Sequence, residues 1–210
     1  AATSGGFGFL SCAWNRMHIA ADVRGAEITT FFSIYQQGHF AASLALIVWM
    51  SLQLIKAVET GSLRAACLAG ALHFGLVAVH PYDAPASYAA AACYAIMLAL
   101  LGVVPLRRTV KPIAVFLAFP IPLIAYNAHL ALFVPFFREF AREGLVAPPW
   151  GLPDYLLGYG LLVPLAMLGL YGASRDRSAA WLFPAAWILA VPALMLCPIP
   201  ARRKLMEGYH

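Results

Sequence analysis

The chain has 210 residues, of which 62% are hydrophobic and 11% charged, with a mean hydropathy of +0.78. Soluble domains cover themselves with about a quarter charged residues, so this composition excludes a water-soluble globule and leaves lipid as the solvent. Fourteen Lys and Arg against nine Asp and Glu give a formal charge of +5, but the basic residues fall in short tracts between apolar runs, where they set topology and touch anionic headgroups rather than nucleic acid.

The expected fold is all-α: a polytopic transmembrane bundle of about six helices. The opening stretch AATSGGFGFLSCAWNRMHIAAD has no basic n-region followed by an apolar core, so an intact signal peptide is not expected. The chain reads as processed or as a piece of a longer protein. Residues 1–32 form an extramembrane or interfacial segment carrying Asp22, Arg24 and Glu27. A helix needs about 20 apolar residues to cross the hydrocarbon layer. Runs near that length lie at 33–56, 63–80, 86–105, 112–135, 153–173 and 179–198. An amphipathic outer loop at 136–152 and a basic tail at 199–210 complete the division. Small-residue stretches at 41–45, 68–71 and 86–93 are the expected packing surfaces, since they let helix backbones approach closely.

Orientation follows from the short loops. The first, third and fifth connections hold Lys56, Arg64, Arg107, Arg108, Lys111, Arg175 and Arg177, whereas the other internal loops hold only Arg138 and Arg142. The odd connections are therefore placed in the cytoplasm. The N-terminal segment, the turn at His80, the 136–152 loop and the C-terminal tail are placed outside. The Arg202, Arg203 and Lys204 cluster runs against that assignment unless it binds something anionic on the outer face.

Four stretches hold candidate chemistry. In the turn VHPYDAP, His80 and Asp83 set an imidazole and a carboxylate at the membrane edge, to bind a hydroxyl or a cation, or to close the turn and cap the next helix. In FPIPLIAYNAHL, Pro120 and Pro122 each lack a backbone donor and must interrupt the helix, which lipid tolerates only where protein or water satisfies the freed carbonyls. Tyr126, Asn127 and His129 follow at once, facing a substrate or a neighbouring helix. In the 136–152 loop, Arg138 and Arg142 share one helical face and Glu139 and Glu143 the adjacent one, beside Phe136, Phe137 and Phe140: an interfacial anchor or a lid. In the tail, Arg202, Arg203 and Lys204 either stop insertion or hold a phosphate through paired donors.

His39 and His73 are isolated histidines in apolar runs, expected to bond to a neighbouring helix rather than ligate haem or pigment. Cys12, Cys67, Cys93 and Cys197 are far apart and form no CxxC, so neither disulfides nor a metal site is expected from them. No Walker loop, dinucleotide fingerprint, HExxH or nucleophile elbow is present.

Taken together, HPYD after a short apolar helix, APPWGLPDYLLGYGLLVPLAMLGL from Ala147 to Leu170, and the terminal CPIPARRKLMEG resemble a group of multispanning bacterial membrane proteins. That group is similar to the GT-C class of polyprenyl-phosphate-dependent glycosyltransferases. The resemblance covers the chain from about Phe31 onward and implies part of a larger GT-C-like domain. It implies sugar transfer from a polyprenyl-phosphate donor at the extracytoplasmic face of the bacterial inner membrane. Asp83 and His80 match the outer-turn motif, and Arg202 and Arg203 the basic motif. The class carries its active-site carboxylate in a first large outer loop, whereas here Asp22 and Glu27 are the only acids before the first helix. On this reading Asp22, Asp83 and His80 are the catalytic candidates. Arg202, Arg203, Lys204, Tyr126 and Asn127 would bind substrate or lipid phosphate, with a divalent cation able to share the work. The rival reading is a non-catalytic accessory subunit of a bioenergetic or photosynthetic assembly, holding neighbouring subunits, lipids or pigment. A transporter ranks behind both.

Overall fold

The computed structural model describes residues 38–139 and 159–196, and everything in them with regular structure is helical. Seven helices can be followed: α1 Gly38–Thr60, α2 Leu63–Val79, α3 Asp83–Leu101, α4 Leu106–Ala118, α5 Ile121–Phe133, α6 Leu162–Asp176 and α7 Ala179–Leu196. Residues 135–139 are also helical. The N-terminal segment 1–32, most of the 136–152 loop and the basic tail lie outside the described residues.

Local chemistry sets the ends. α1 runs on through Lys56 and Glu59, both good helix formers, until Gly61 takes a left-handed φ of 69°. Ser62 then caps α2, its Oγ accepting from the Ala65 amide at 3.3 Å. α3 starts at Asp83, earlier than the run at 86–105 suggested, because Pro85 is tolerated in a first helical turn and a carboxylate there favours the helix dipole. It ends at Gly102, again left-handed. α4 begins at Leu106, ahead of the expected 112, since Arg107, Arg108 and Lys111 are helix formers and Pro105 precedes them.

The largest departure from six equal spans is the fourth run. It divides into α4 and α5, bent by 42° at Phe119 and Pro120. Two helices are long and apolar enough to cross a membrane, Ala41–Thr60 and Asp83–Leu101, and the bent α4–α5 pair makes a third if it counts as one span. The described chain is thus an all-helical bundle with two or three membrane-spanning segments, accompanied by the shorter apolar helices α2 and α7.

Four of the helices and α7 share one core. Met50, Leu54 and Val58 from α1 meet Leu76 from α2, Tyr94 and Leu98 from α3, Phe116 from α4, and Leu182 and Val191 from α7. α1 packs chiefly on α2, and α3 chiefly on α7. The alanines at 86, 90 and 91 are fully buried in the core, the closeness small residues permit where lipid offers no hydrophobic drive for association. α5 buries no residue and α6 buries only Ala173. Both present long apolar side chains outward, among them Leu132, Phe133, Leu165 and Leu168.

Gly70 on α2 lies against the break between α4 and α5. A Cβ there would stand 2.6 Å from Cδ2, 2.7 Å from Cγ and 3.1 Å from Cβ of Phe119. The root of the phenylalanine is in the way, so a rotamer change alone does not relieve the contact. Gly70→Ala gains about 1 kcal/mol of helix propensity but overpacks the joint at a cost of about 1–3 kcal/mol. The variant is expected to melt below the native protein in detergent, whereas the same change at Gly169, where nothing lies within 4 Å, is expected to hold or raise the melting temperature.

Candidate functional site

Most of the buried polar side chains of the described bundle, His73, His80, Asp83 and Ser87, lie on α2, α3 and the turn between them. The turn is tight: the Asp83 amide donates to the His80 carbonyl at 3.2 Å and the Ala84 amide to that of Pro81 at 3.3 Å. This folds the Asp83 carboxylate back toward His80, with Oδ2 at 3.2 Å from Nδ1, an ion-pair contact between two nearly inaccessible side chains. The His39 ring, from the first turn of α1, stacks on His80 with centroids 5.8 Å apart, and Tyr82 meets the same imidazole edge-on at 5.6 Å. Neither carboxylate oxygen of Asp83 receives a hydrogen bond from a described residue, so its contact with His80 is electrostatic. A carboxylate beside an imidazole attracts the ring electrostatically and biases its orientation, one requirement of a histidine that accepts or delivers a proton.

One turn further along α3 a second polar group binds three helices together. Ser87 Oγ lies 2.6 Å from Nε2 of His73 on α2, and also 2.9 Å from the carbonyls of Asp83 and Ala84. His73 Nδ1 faces the Phe116 carbonyl on α4 at 3.4 Å, and the two rings stack at 4.3 Å. The Phe116 carbonyl is the one whose helical donor would be the amide of residue 120, and proline has none. A carbonyl can only accept, so the proton of a neutral His73 belongs on Nδ1 and Ser87 donates to Nε2. The next carbonyl, Leu117, accepts from the Tyr88 hydroxyl on α3. Two carbonyls at the end of α4, beside the proline break, are thus satisfied by side chains of two neighbouring helices, as the bilayer interior requires.

The sequence-derived residues are therefore dispersed. His80 and Asp83 are together. Tyr126 is exposed and Asn127 half-buried on α5, beyond the break. Asp22, Arg202, Arg203 and Lys204 lie outside the described residues. Among the described residues no group of three or more His, Cys, Asp and Glu could hold a metal ion. Sequence reasoning did not connect His39 to His80 or Ser87 to His73. For the second pair a signal existed, a serine at the head of an alanine-rich helix and a histidine isolated in the apolar helix before it. No protein-family model, curated protein or solved structure matches the chain.

Proposed function

We propose that this chain is the membrane-embedded part of a polyprenyl-phosphate-dependent glycosyltransferase acting at the extracytoplasmic face of the bacterial inner membrane. The reading rests on the resemblance of its motifs to that class, and the His80–Asp83 pair is the structural observation that carries it. The pair sits at an end of the bundle, on the turn we assign to the outer side from the bias of Lys and Arg in the loops. Asp83, behind the ring, holds the imidazole. His80 orients or deprotonates the acceptor hydroxyl, while Arg202, Arg203 and Lys204 bind the phosphate that leaves with the lipid. Tyr126 and Asn127 on α5 line the path of the polyprenyl chain. In this arrangement α1, α2, α3, the bent α4–α5 pair, α6 and α7 make six passes. α2, with 17 residues, covers about 25 Å at 1.5 Å per residue, so the bilayer thins beside it.

A second reading has its own observation. The outward apolar faces of α5 and α6 fit an accessory subunit that packs against other membrane chains. One experiment separates the two. The full-length protein, purified from its native membrane, is incubated with sugars linked to polyprenyl phosphate and an acceptor glycan. Release of polyprenyl phosphate supports the enzyme. No turnover, together with co-purification of stoichiometric partner subunits, supports the scaffold and overturns the enzyme.

A further inference from the structure

The opposite end of the bundle carries a separate feature, a concentration of exposed cations. The α1–α2 turn lies against the first turn of α4, where a Cβ at Gly61 would stand 4.0 Å from Cγ of Arg108. Lys56 and Arg64 are thereby brought beside Arg107, Arg108 and Lys111, and all five are exposed. α7 begins at the same end, since Phe183 in its second turn meets Tyr94 in the later half of α3 at 5.1 Å. That adds exposed Arg175 and Arg177. Seven cations face two carboxylates there, Glu59 and Asp176. The described charges toward the other end are Asp83, Arg138 and Glu139.

The start of α4 has the pattern of a helix lying at a headgroup layer. Arg107 and Lys111 follow one another on one face, four residues apart. Leu106 and Val110, both more than half exposed, form the adjacent stripe at the same spacing. Apolar side chains and ammonium or guanidinium groups side by side meet both parts of a phospholipid, the acyl boundary and the phosphate. On α6, Arg175 donates to the Tyr171 hydroxyl through Nη2 at 2.8 Å and lies over its ring, a tyrosine–arginine pairing suited to the same boundary.

We propose that this end of the bundle is a docking surface for anionic phospholipid, centred on Arg64, Arg107, Arg108 and Lys111. The occupant is a lipid because the apolar stripe runs beside the cations, and an anionic one because two carboxylates leave most of the positive charge unanswered. The site is independent of the glycosyl-transfer reading, whose described pair, His80 and Asp83, sits at the α2–α3 turn at the other end.

The test reconstitutes the full chain in nanodiscs of phosphatidylcholine doped with phosphatidylglycerol and counts the lipids retained by native mass spectrometry. The native protein is expected to retain phosphatidylglycerol above its share of the bilayer. Each neutralised cation is expected to cut that retention roughly fivefold, so Arg107→Gln, Arg108→Gln and Lys111→Gln combined abolish the enrichment. The charge-conserving pair Arg107→Lys and Arg108→Lys is expected to keep most of it, which separates charge from folding. No preference for phosphatidylglycerol in the native protein, equal retention by the triple variant, or a stoichiometric protein held at this face in place of lipid would each overturn the proposal.

Discussion

His73→Ala is expected to destabilise the bundle by about 2–4 kcal/mol. The side chain is fully buried and stacks on Phe116, so truncation leaves a cavity. It also leaves the Phe116 carbonyl without a donor, worth about 1 kcal/mol or more when buried, whereas Ser87 can turn to the Asp83 or Ala84 carbonyl at 2.9 Å. Hydrogen bonds between membrane helices average well under 2 kcal/mol, which keeps the total within that range. His73→Phe preserves the volume and the stack but not the hydrogen bonds, and is expected to lose about 1–2 kcal/mol. Pro120→Ala supplies the missing amide at residue 120, so it should relieve the Phe116 carbonyl and reduce the cost of His73→Ala in the double variant. The check is a double-mutant cycle by reversible unfolding in mixed micelles. Strict additivity would show that the histidine is not answering the proline break.

Asp83→Asn is expected to lower sugar transfer roughly 100-fold, equivalent to about 2.7 kcal/mol of transition-state stabilisation, with KM for the polyprenyl donor nearly unchanged. Asparagine keeps the size of the side chain but not the charge that holds the imidazole 3.2 Å away, so the effect falls on kcat. His80→Ala removes the group proposed to meet the acceptor and is expected to cost roughly 1,000-fold. Unfolding of the Asn variant should stay within about 1 kcal/mol of native, the scale of a charge at a helix N-terminus. Native-like turnover by a folded Asp83→Asn protein would remove Asp83 and its imidazole from the chemistry.

What was legible in the sequence was what depends on neighbours along the chain. Hydropathy marked the apolar runs, and the two prolines announced a broken helix because the loss of an amide is local. Which side chain answers the freed carbonyl was not legible. His73 reaches Phe116 only because the α1–α2 hairpin, α3 and the α4 joint fix the height of α2 against α4. The same holds for His39 on His80, brought together by the register of α1 on α2. The second apolar run was already short in the sequence, as α2 is; what hydropathy did not show is that the fourth run divides into two separate helices, α4 and α5, bent by 42°. Asp83 reads in the sequence either as a helix cap or as a functional carboxylate; the structure puts it in the first turn of α3 beside His80, with Tyr82 at the cap position and no side-chain capping hydrogen bond.

The most direct measurement is the accessibility of the two hairpin turns from opposite sides of the membrane. Single cysteines at Gly61 and at Tyr82, in a chain whose four native cysteines are replaced by serine, are treated in intact cells with a membrane-impermeant maleimide. If α2 crosses the bilayer with the His80–Asp83 turn outside, the cysteine at 82 is labelled at once. The cysteine at 61 then reacts only after the membrane is opened. Labelling of both from outside, or of position 61 alone, would contradict the bundle's placement and remove the His80–Asp83 pair from the extracytoplasmic face.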